Sequence, residues 1–262
     1  MLLAIDIGNT NIVLGVFEGT TLRHSWRLTT MRERTGDELG LLVDGVFASA
    51  KLDRTKITGV ILASVVPPLT VPAQEMVQRY FGVKALVVEA TLDTGMPVLY
   101  DTPADVGADR IVNGIAAYEK YGRAAKSPLV VVDFGTATTL DAISGAGEYL
   151  GGAICPGVTI SADALFQRAA RLPKIDVRKP ARVIGRTTVG AMESGLFWGY
   201  VDMVEGLVRR MSAELAGTSG ARVICVATGG LAAIIAPETT LIQHVDPDLT
   251  LDGLRIVWER NQ

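Results

Sequence analysis

Leu2-Leu3-Ala4-Ile5-Asp6-Ile7-Gly8-Asn9-Thr10-Asn11 has the same plan as Leu129-Val130-Val131-Val132-Asp133-Phe134-Gly135-Thr136-Ala137-Thr138-Thr139. In each stretch an apolar run delivers one carboxylate, then an apolar residue, a glycine and small polar residues, before a second apolar run begins. Such a run bounded by turn residues reads as a buried strand entering a hairpin. Gly8 lets the backbone approach closely or take positive φ. Asn9, Thr10 and Asn11 tolerate tight turns and offer donors, and Asp6 can hold Mg²⁺ directly or through water. Alone, a strand ending in Asp-x-Gly can equally be a plain hairpin. The second copy at Asp133 argues against that reading and for a duplicated domain with one carboxylate-bearing tip per half.

The likeness continues outward from both tips. Asp6 is followed by apolar runs at Ile12–Phe17 and Leu22–Leu28 around Gly19, and Asp133 by Thr138–Ile143 and Tyr149–Ile154 around Gly145 and Gly147. Leu22, His24, Trp26 and Leu28 alternate with Arg23, Ser25 and Arg27, so His24 reads as a strand residue. Thr35 caps a helix led by Asp37 and Glu38, with Leu39, Leu42, Val43, Val46 and Phe47 on its apolar face. Ile57–Val66 reads as a buried strand halted at Pro67-Pro68. A helix around Met76, Val77, Tyr80 and Phe81 then closes at Gly82, before a strand at Ala85–Val88. Thr91 to Thr102 reads as loop, and a helix through Ile111, Val112, Ile115 and Tyr118 ends at Gly122. Arg123–Ser127 is the best linker candidate, which places the domains at 1–122 and 123–262. In the second half, helices are expected at Ile160–Arg171, Thr188–Ala216 and Leu251–Arg260, and a strand at Arg222–Ala227 leads to Thr228-Gly229-Gly230. Strands alternating with helices in this way indicate an α/β fold.

With 262 residues, 48% hydrophobic and 20% charged, the chain is of ordinary globular composition and has length enough for a sizeable core. The net charge of −3 supplies no basic field for nucleic acid or membrane. No run reaches the roughly 18 apolar residues of a membrane span, and Met1–Ala4 leads into a charged motif and not a signal peptide. A cytoplasmic setting is expected, and it makes Cys155 and Cys225 free thiols in preference to a disulfide.

Nothing matches a P-loop, and Gly145-Ala146-Gly147 lacks the register of a dinucleotide fingerprint. The remaining glycine-rich tips, at Gly8, Gly135 and Gly229-Gly230, suit phosphate contacts made by backbone donors. Asp109, in Gly107-Ala108-Asp109-Arg110, can be read as a surface helix acid pairing with Asn113 or Arg110, Tyr100 as packing, and Asp133 as an N-cap or turn acid.

Taken in order, Asp6-Ile-Gly-Asn-Thr-Asn11, Gly107-Ala-Asp-Arg110, Asp133-Phe-Gly-Thr-Ala-Thr-Thr139, Gly151-Gly-Ala-Ile-Cys-Pro-Gly157 and Thr228-Gly-Gly230 resemble the type III pantothenate kinases of the actin-like, sugar-kinase and Hsp70 ATPase superfamily. The likeness covers nearly the whole chain. It implies an α/β fold of duplicated actin-like (ribonuclease H-like) domains with an interdomain nucleotide cleft, and ATP-dependent phosphorylation of pantothenate. By this resemblance Asp6, Ile7, Gly8, Asn9, Thr10, Asn11, Ile12 and Val13 form the first ATP-phosphate loop, and Thr136 and Gly229 contact ATP from the second half. Asp133 holds the monovalent cation, K⁺ or NH₄⁺, and Mg²⁺ rides on the ATP phosphates near Asp6. Asp109 is the implied general base. Tyr100, Gly107, Ala108, Asp109 and Arg110 line the pantothenate pocket, which Thr188 reaches from the second subunit of a homodimer.

The chain departs from the family pattern at two points. Thr187 stands where many relatives carry Asn or Asp, and Glu193 where an amide is common. Thr188 could also serve as the cap of the long helix. Two other readings stay in play: another small-molecule kinase of the superfamily, and a non-catalytic nucleotide-binding regulatory protein.

Overall fold

The computed structural model describes residues 1–89, 92–217 and 220–262, so Thr91, at the start of the expected loop, lies outside the described residues. The chain forms two compact units. The first comprises Met1–Met96, Asp101–Ala116 and Leu249–Gln262, and the second Pro97–Tyr100 and Ala117–Asp248. Relative to a single boundary at 122/123, the last helix lies with the first unit, and Pro97–Tyr100 and Ala117–Gly122 with the second.

The first unit is built on a five-stranded sheet of β1 (Leu2–Ile7), β2 (Asn11–Glu18), β3 (Thr21–Thr29), β4 (Gly59–Ser64) and β5 (Leu86–Val87). Their order is β3-β2-β1-β4-β5. β1 pairs antiparallel with β2 and parallel with β4, which puts Asp6 opposite Val13 on one side and Ala63 on the other. A central strand covered on both faces must be apolar almost throughout, and β1 is buried at every position except Asp6. The outer strand β3 instead alternates half-buried and exposed residues, with Trp26 packed on the core and His24 stacked on it at 5.5 Å. His24 is thus a strand residue, as expected.

Two helices cover the sheet's core face: α1 (Gly36–Ser49) and α2 (Pro67–Phe81). Thr35 and Glu38 close a reciprocal capping box at the start of α1. Pro67-Pro68 both stop the strand and start α2, since proline's fixed φ and missing N–H suit the first helical turn. Leu39, Val43 and Phe47 of α1 meet Leu69, Met76 and Val77 of α2 over Leu3, Ile5, Leu14 and Leu62. The helix α3 (Ala108–Ala117) follows a single 3₁₀ turn at Pro103–Asp105, and π-helical turns carry the chain on from Tyr118 to Gly122. The C-terminal helix, labelled α7 below (Leu249–Arg260), returns to this unit through fitted contacts. Trp258 occupies the space where a side chain on Gly59 would lie, and Gly253 lies against the Val112 carbonyl.

The second unit repeats the plan. β6 (Leu129–Phe134), β7 (Ala137–Ile143), β8 (Tyr149–Pro156), β9 (Ile224–Thr228) and β10 (His244–Val245) are ordered β10-β9-β6-β7-β8. Again the first strand is antiparallel to the second and parallel to the fourth, so Asp133 lies opposite Thr139 and Thr228. It is a strand residue and not a helix cap. The helices are α4 (Val158–Arg168), α5 (Thr188–Ala216) and the short α6 (Ala232–Ile235). Phe197, Val201, Val204 and Val208 of α5 pack on Val130, Val132 and Leu140. The two sheets share one strand order and one pattern of parallel and antiparallel pairs, which is the duplicated α/β, ribonuclease H-like arrangement expected from the repeated Asp-x-Gly stretches. Cys155 and Cys225 are free, and burial pushes the Cys225 thiol up to about 12. No helix among the described residues is long and apolar enough to cross a membrane.

Candidate functional site

The turn after β1 is closed by its own backbone. The Gly8 N–H donates to the Asn11 carbonyl at 3.0 Å, and Thr30 straddles the turn, its N–H reaching the Thr10 carbonyl and its hydroxyl the Gly8 carbonyl. Gly8 has no left-handed φ. Of the two reasons a glycine could stand here, close approach is the one used, since an added Cβ would lie 3.1 Å from the Asn11 carbonyl oxygen. Asn9 and Thr10 are exposed at the tip, and the Asn9 amide oxygen accepts from Arg32 at 3.2 Å. Ile7 and Ile12 are buried and pair with each other beneath the tip, while Asp6, Asn11 and Val13 are half-buried. The residues from 6 to 13 therefore form one continuous hairpin tip. Asp6 is carried on a buried strand, and small polar groups face outward.

In the second unit the corresponding turn exposes Gly135 and Thr136. The Thr136 carbonyl accepts the Gly157 N–H at 3.1 Å, which ties the end of the small-residue run 151–157 to the tip. The end of β9 closes on the same place. Gly229 takes φ +90°, and an added Cβ would overlap Asp133 Oδ1 and lie 2.6 Å from the Phe134 nitrogen. Asp133, Thr136 and Gly229 are thus brought together within one unit.

Asp109 lies in the first turn of α3 and is half-buried. Its Oδ1 accepts the Arg110 backbone N–H at 2.8 Å. Burial pushes its carboxyl above the usual Asp range, opposed by that hydrogen bond and by the Arg110 charge. Gly107 leaves this carboxylate room, because a Cβ there would sit 2.5 Å from Asp109 Oδ1 as it is placed. Arg110 is buried and Ala108 half-buried. One turn further on, Asn113 is buried and its amide oxygen accepts from Thr250 of α7 at 2.7 Å, which fixes this end of α3 in the first unit.

Tyr100 belongs to the second unit and is 40% exposed. Its ring lies 6.4 Å from that of Tyr149 and over Gly151.

One expectation at the start of α5 needs correction. The cap is Thr187, whose hydroxyl accepts the Gly190 N–H from an extended backbone conformation (φ −135°, ψ 160°). Thr188 is already the first helical residue, so its side chain cannot serve that role, and it is exposed. The departure at Thr187 from the family's amide or carboxylate thus keeps a good capping group. Glu193 is taken up by Arg178, with Nε to Oε1 at 2.6 Å.

A cavity of about 630 Å³ opens elsewhere in the second unit, between β7, β8 and the C-terminal end of α5. None of the hairpin-tip residues and none of Gly107–Arg110 lines it. Sequence reading also passed over Asp141 and Tyr149. Both are fully buried, and Tyr149 donates its hydroxyl to Asp141 Oδ1 at 2.8 Å. An acid at an inward position of β7 was the available signal.

The sequence model of the type III pantothenate kinase family matches residues 2–210. Over 261 residues the chain is 53% identical to the type III pantothenate kinase of Moorella thermoacetica, covering all of both chains. It is also 53% identical to that of Myxococcus xanthus, over 100% of this chain and 99% of the relative. Among solved structures, a Campylobacter jejuni protein provisionally assigned to the Baf family of transcriptional activators superposes with a TM-score of 0.60 at 21% identity, covering 99% of this chain and 98% of that one. A Sinorhizobium meliloti protein provisionally described as a 2-dehydro-3-deoxygalactonokinase superposes with a TM-score of 0.57 at 12% identity, covering 99% and 96%. At these identities the structural likenesses speak to the fold alone.

Proposed function

The chain belongs to the type III pantothenate kinase family, and on that footing we propose how its residues carry out the family's reaction. It phosphorylates pantothenate with ATP to give 4′-phosphopantothenate, the first step of coenzyme A biosynthesis. The observation that carries the assignment of roles is the half-buried carboxylate of Asp109, held by the Arg110 N–H at the start of α3.

Transfer of a γ-phosphoryl group to a primary alcohol is mostly positioning and charge stabilisation around a loose transition state. Asp109 accepts the hydroxyl proton of pantothenate. Its Oδ1 is engaged by the Arg110 N–H, so Oδ2 takes the proton. Desolvation raises its basicity toward working pH, which general-base catalysis rewards. Gly107, Ala108, Arg110 and Tyr100 bind pantothenate, and the Arg110 guanidinium is suited to the substrate carboxylate. Residues Asp6 to Val13, Thr136 and Gly229 bind the ATP phosphates.

The donor set fits the ions that accompany ATP. Asp6 and Asp133 are hard oxygen donors, and the space beside Asp133 Oδ1 is one that a Cβ on residue 229 would fill. Asp6 would hold Mg²⁺ directly or through water, and Asp133 a K⁺ or NH₄⁺ ion. When bound, these cations offset phosphate charge.

A homodimer completes the proposal. Exposed apolar side chains recur on β8, on α4 and just before and at the start of α5. Ile154 is 65% exposed and Ile184 80%, and Ile160, Leu165, Phe166 and Val189 are exposed as well. A second copy covering them would bring Thr188 of the partner subunit to the pantothenate pocket. Two free thiols support a reducing, cytoplasmic setting.

The deciding assay is ATP-dependent phosphorylation of pantothenate by the wild type and Asp109→Asn, with sugars and acetate as competing acceptors. The expected result is pantothenate turnover that the variant loses while retaining ATP binding. Near-normal turnover by the variant would remove Asp109 from the role of base. Preference for a sugar would favour another kinase of the superfamily.

A further inference from the structure

Tyr149 and Asp141 form a buried side-chain hydrogen bond in the second unit, and nothing in the proposed chemistry uses it. Both residues are fully buried. Tyr149 donates to Asp141 Oδ1 at 2.8 Å, and Thr139 donates to Oδ2 at 3.3 Å. Burying a carboxylate is costly unless its oxygens are hydrogen-bonded, so this pair holds the Tyr149 ring in one orientation. The register of β7 against β8 shifts just where Tyr149 pairs, between Ala142 and Ile143, and such bulges re-aim side chains.

Tyr149 also carries the segment that bears Tyr100. Its N–H donates to the Pro97 carbonyl at 2.9 Å, and its carbonyl accepts the Leu99 N–H at 2.8 Å. These two bonds form a short parallel bridge at Val98. The Tyr149 ring then meets the Tyr100 ring at 6.4 Å. Gly151, at φ +119°, leaves a floor on which a Cβ would lie 3.4 Å from the Tyr100 ring. Backbone, ring and floor therefore all reach Tyr100 from residues 149 to 151.

We propose that Tyr149, locked by Asp141, is the positioning residue that sets Tyr100 for pantothenate binding. This rests on the placement of Tyr100 in the pantothenate pocket. A binding effect separates it from a merely structural role.

Tyr149→Phe keeps the ring and removes the lock. Leu99→Pro removes one backbone tie at an exposed position and leaves the core intact. Each is expected to raise KM for pantothenate about three- to ten-fold, the loss of one hydrogen bond's net worth, with kcat and KM for ATP little changed. Asp141→Asn, which keeps an acceptor for the Tyr149 hydroxyl, should restore most of what Asp141→Ala loses. Tyr100→Ala is run beside them. If it raises KM for pantothenate while Tyr149→Phe and Leu99→Pro do not, the positioning role is overturned and the pocket assignment stands. If Tyr100→Ala has no effect, the pocket assignment itself falls, and the role with it. A proportional loss of kcat and of both substrates' binding in Tyr149→Phe would also overturn the proposal. If Tyr149→Phe does not fold, Leu99→Pro decides alone.

Discussion

The Cα of Gly229 lies so close to the carboxylate of Asp133 that a methyl group there would overlap Oδ1, and the glycine holds φ +90°. Strand register makes the approach, since Thr228 of β9 pairs with Asp133 of β6 and the chain turns immediately afterwards. Gly229→Ala therefore meets two obstacles, a left-handed backbone and a filled space. It is expected to cost about 1–3 kcal/mol of stability from the backbone alone and to raise KM for ATP. Thermal melting and ATP-dependent kinetics check this, and a variant unchanged in both would show that the turn relaxes freely.

For Asp109 the direction of the pKa shift fixes two outcomes. Burial raises its pKa, so kcat/KM should fall on the acid side at a higher pH than the usual Asp value of about 3.9 would give. In its proposed role as base Asp109 must be ionised to accept a proton, and Asp109→Asn should lower turnover by roughly 10²–10⁴-fold and abolish that limb. Stability should move the other way. A carboxyl that holds its proton more tightly when folded favours folding while protonated. That advantage is lost as pH rises from its unfolded value through the folded one. At neutral pH the folded state thus carries a cost for the buried charge, and Asp109→Asn should melt higher. Its margin should shrink below about pH 4. Melting curves across pH test this independently of the assay.

Much of the fold was legible because local chemistry and global arrangement agree. The Thr35 cap, the Pro67 stop and start, the alternation from Leu22 to Leu28 and the span Thr188–Ala216 all rest on nearest-neighbour rules. The doubled Asp-x-Gly strand gave the duplication for the same reason. The return of α7 to the first unit was not legible, because it depends on Trp258 fitting against Gly59 and Gly253 against Val112, pairs far apart in the chain. Nor was the burial of Asp141, since a carboxylate at an inward strand position reads as polar until its partners Tyr149 and Thr139 are known. The choice between Thr187 and Thr188 as cap turned on one residue, the usual uncertainty of a helix end.

That choice can be tested, because the two threonines are given different work. Thr187→Ala removes the acceptor for the Gly190 N–H and should destabilise the protein by about 1 kcal/mol, as lost caps do. Thr188→Ala removes no capping bond and should leave melting unchanged, but it should raise KM for pantothenate if the residue serves a neighbouring subunit's pocket. Solution mass measured beside the kinetics completes the test. A monomer that is fully active at nanomolar concentration would exclude a shared pocket.

The cation-holding role proposed for Asp133 leads to a prediction about salt. A carboxylate on a buried strand, closed over by Gly229, offers oxygen donors of the kind alkali cations and ammonium accept. Wild-type turnover should be low in sodium buffer and restored by K⁺ or NH₄⁺. Asp133→Asn should weaken that response, requiring more K⁺ for half-maximal rate. Binding should register without turnover too, because an ion that prefers the folded state raises its melting temperature in proportion to its occupancy. K⁺ should therefore stabilise the wild type more than Na⁺ at equal ionic strength, and Asp133→Asn should erase the difference. Equal activity in all three salts would remove the cation from Asp133. A K⁺ effect on melting that survives Asp133→Asn would place the ion elsewhere.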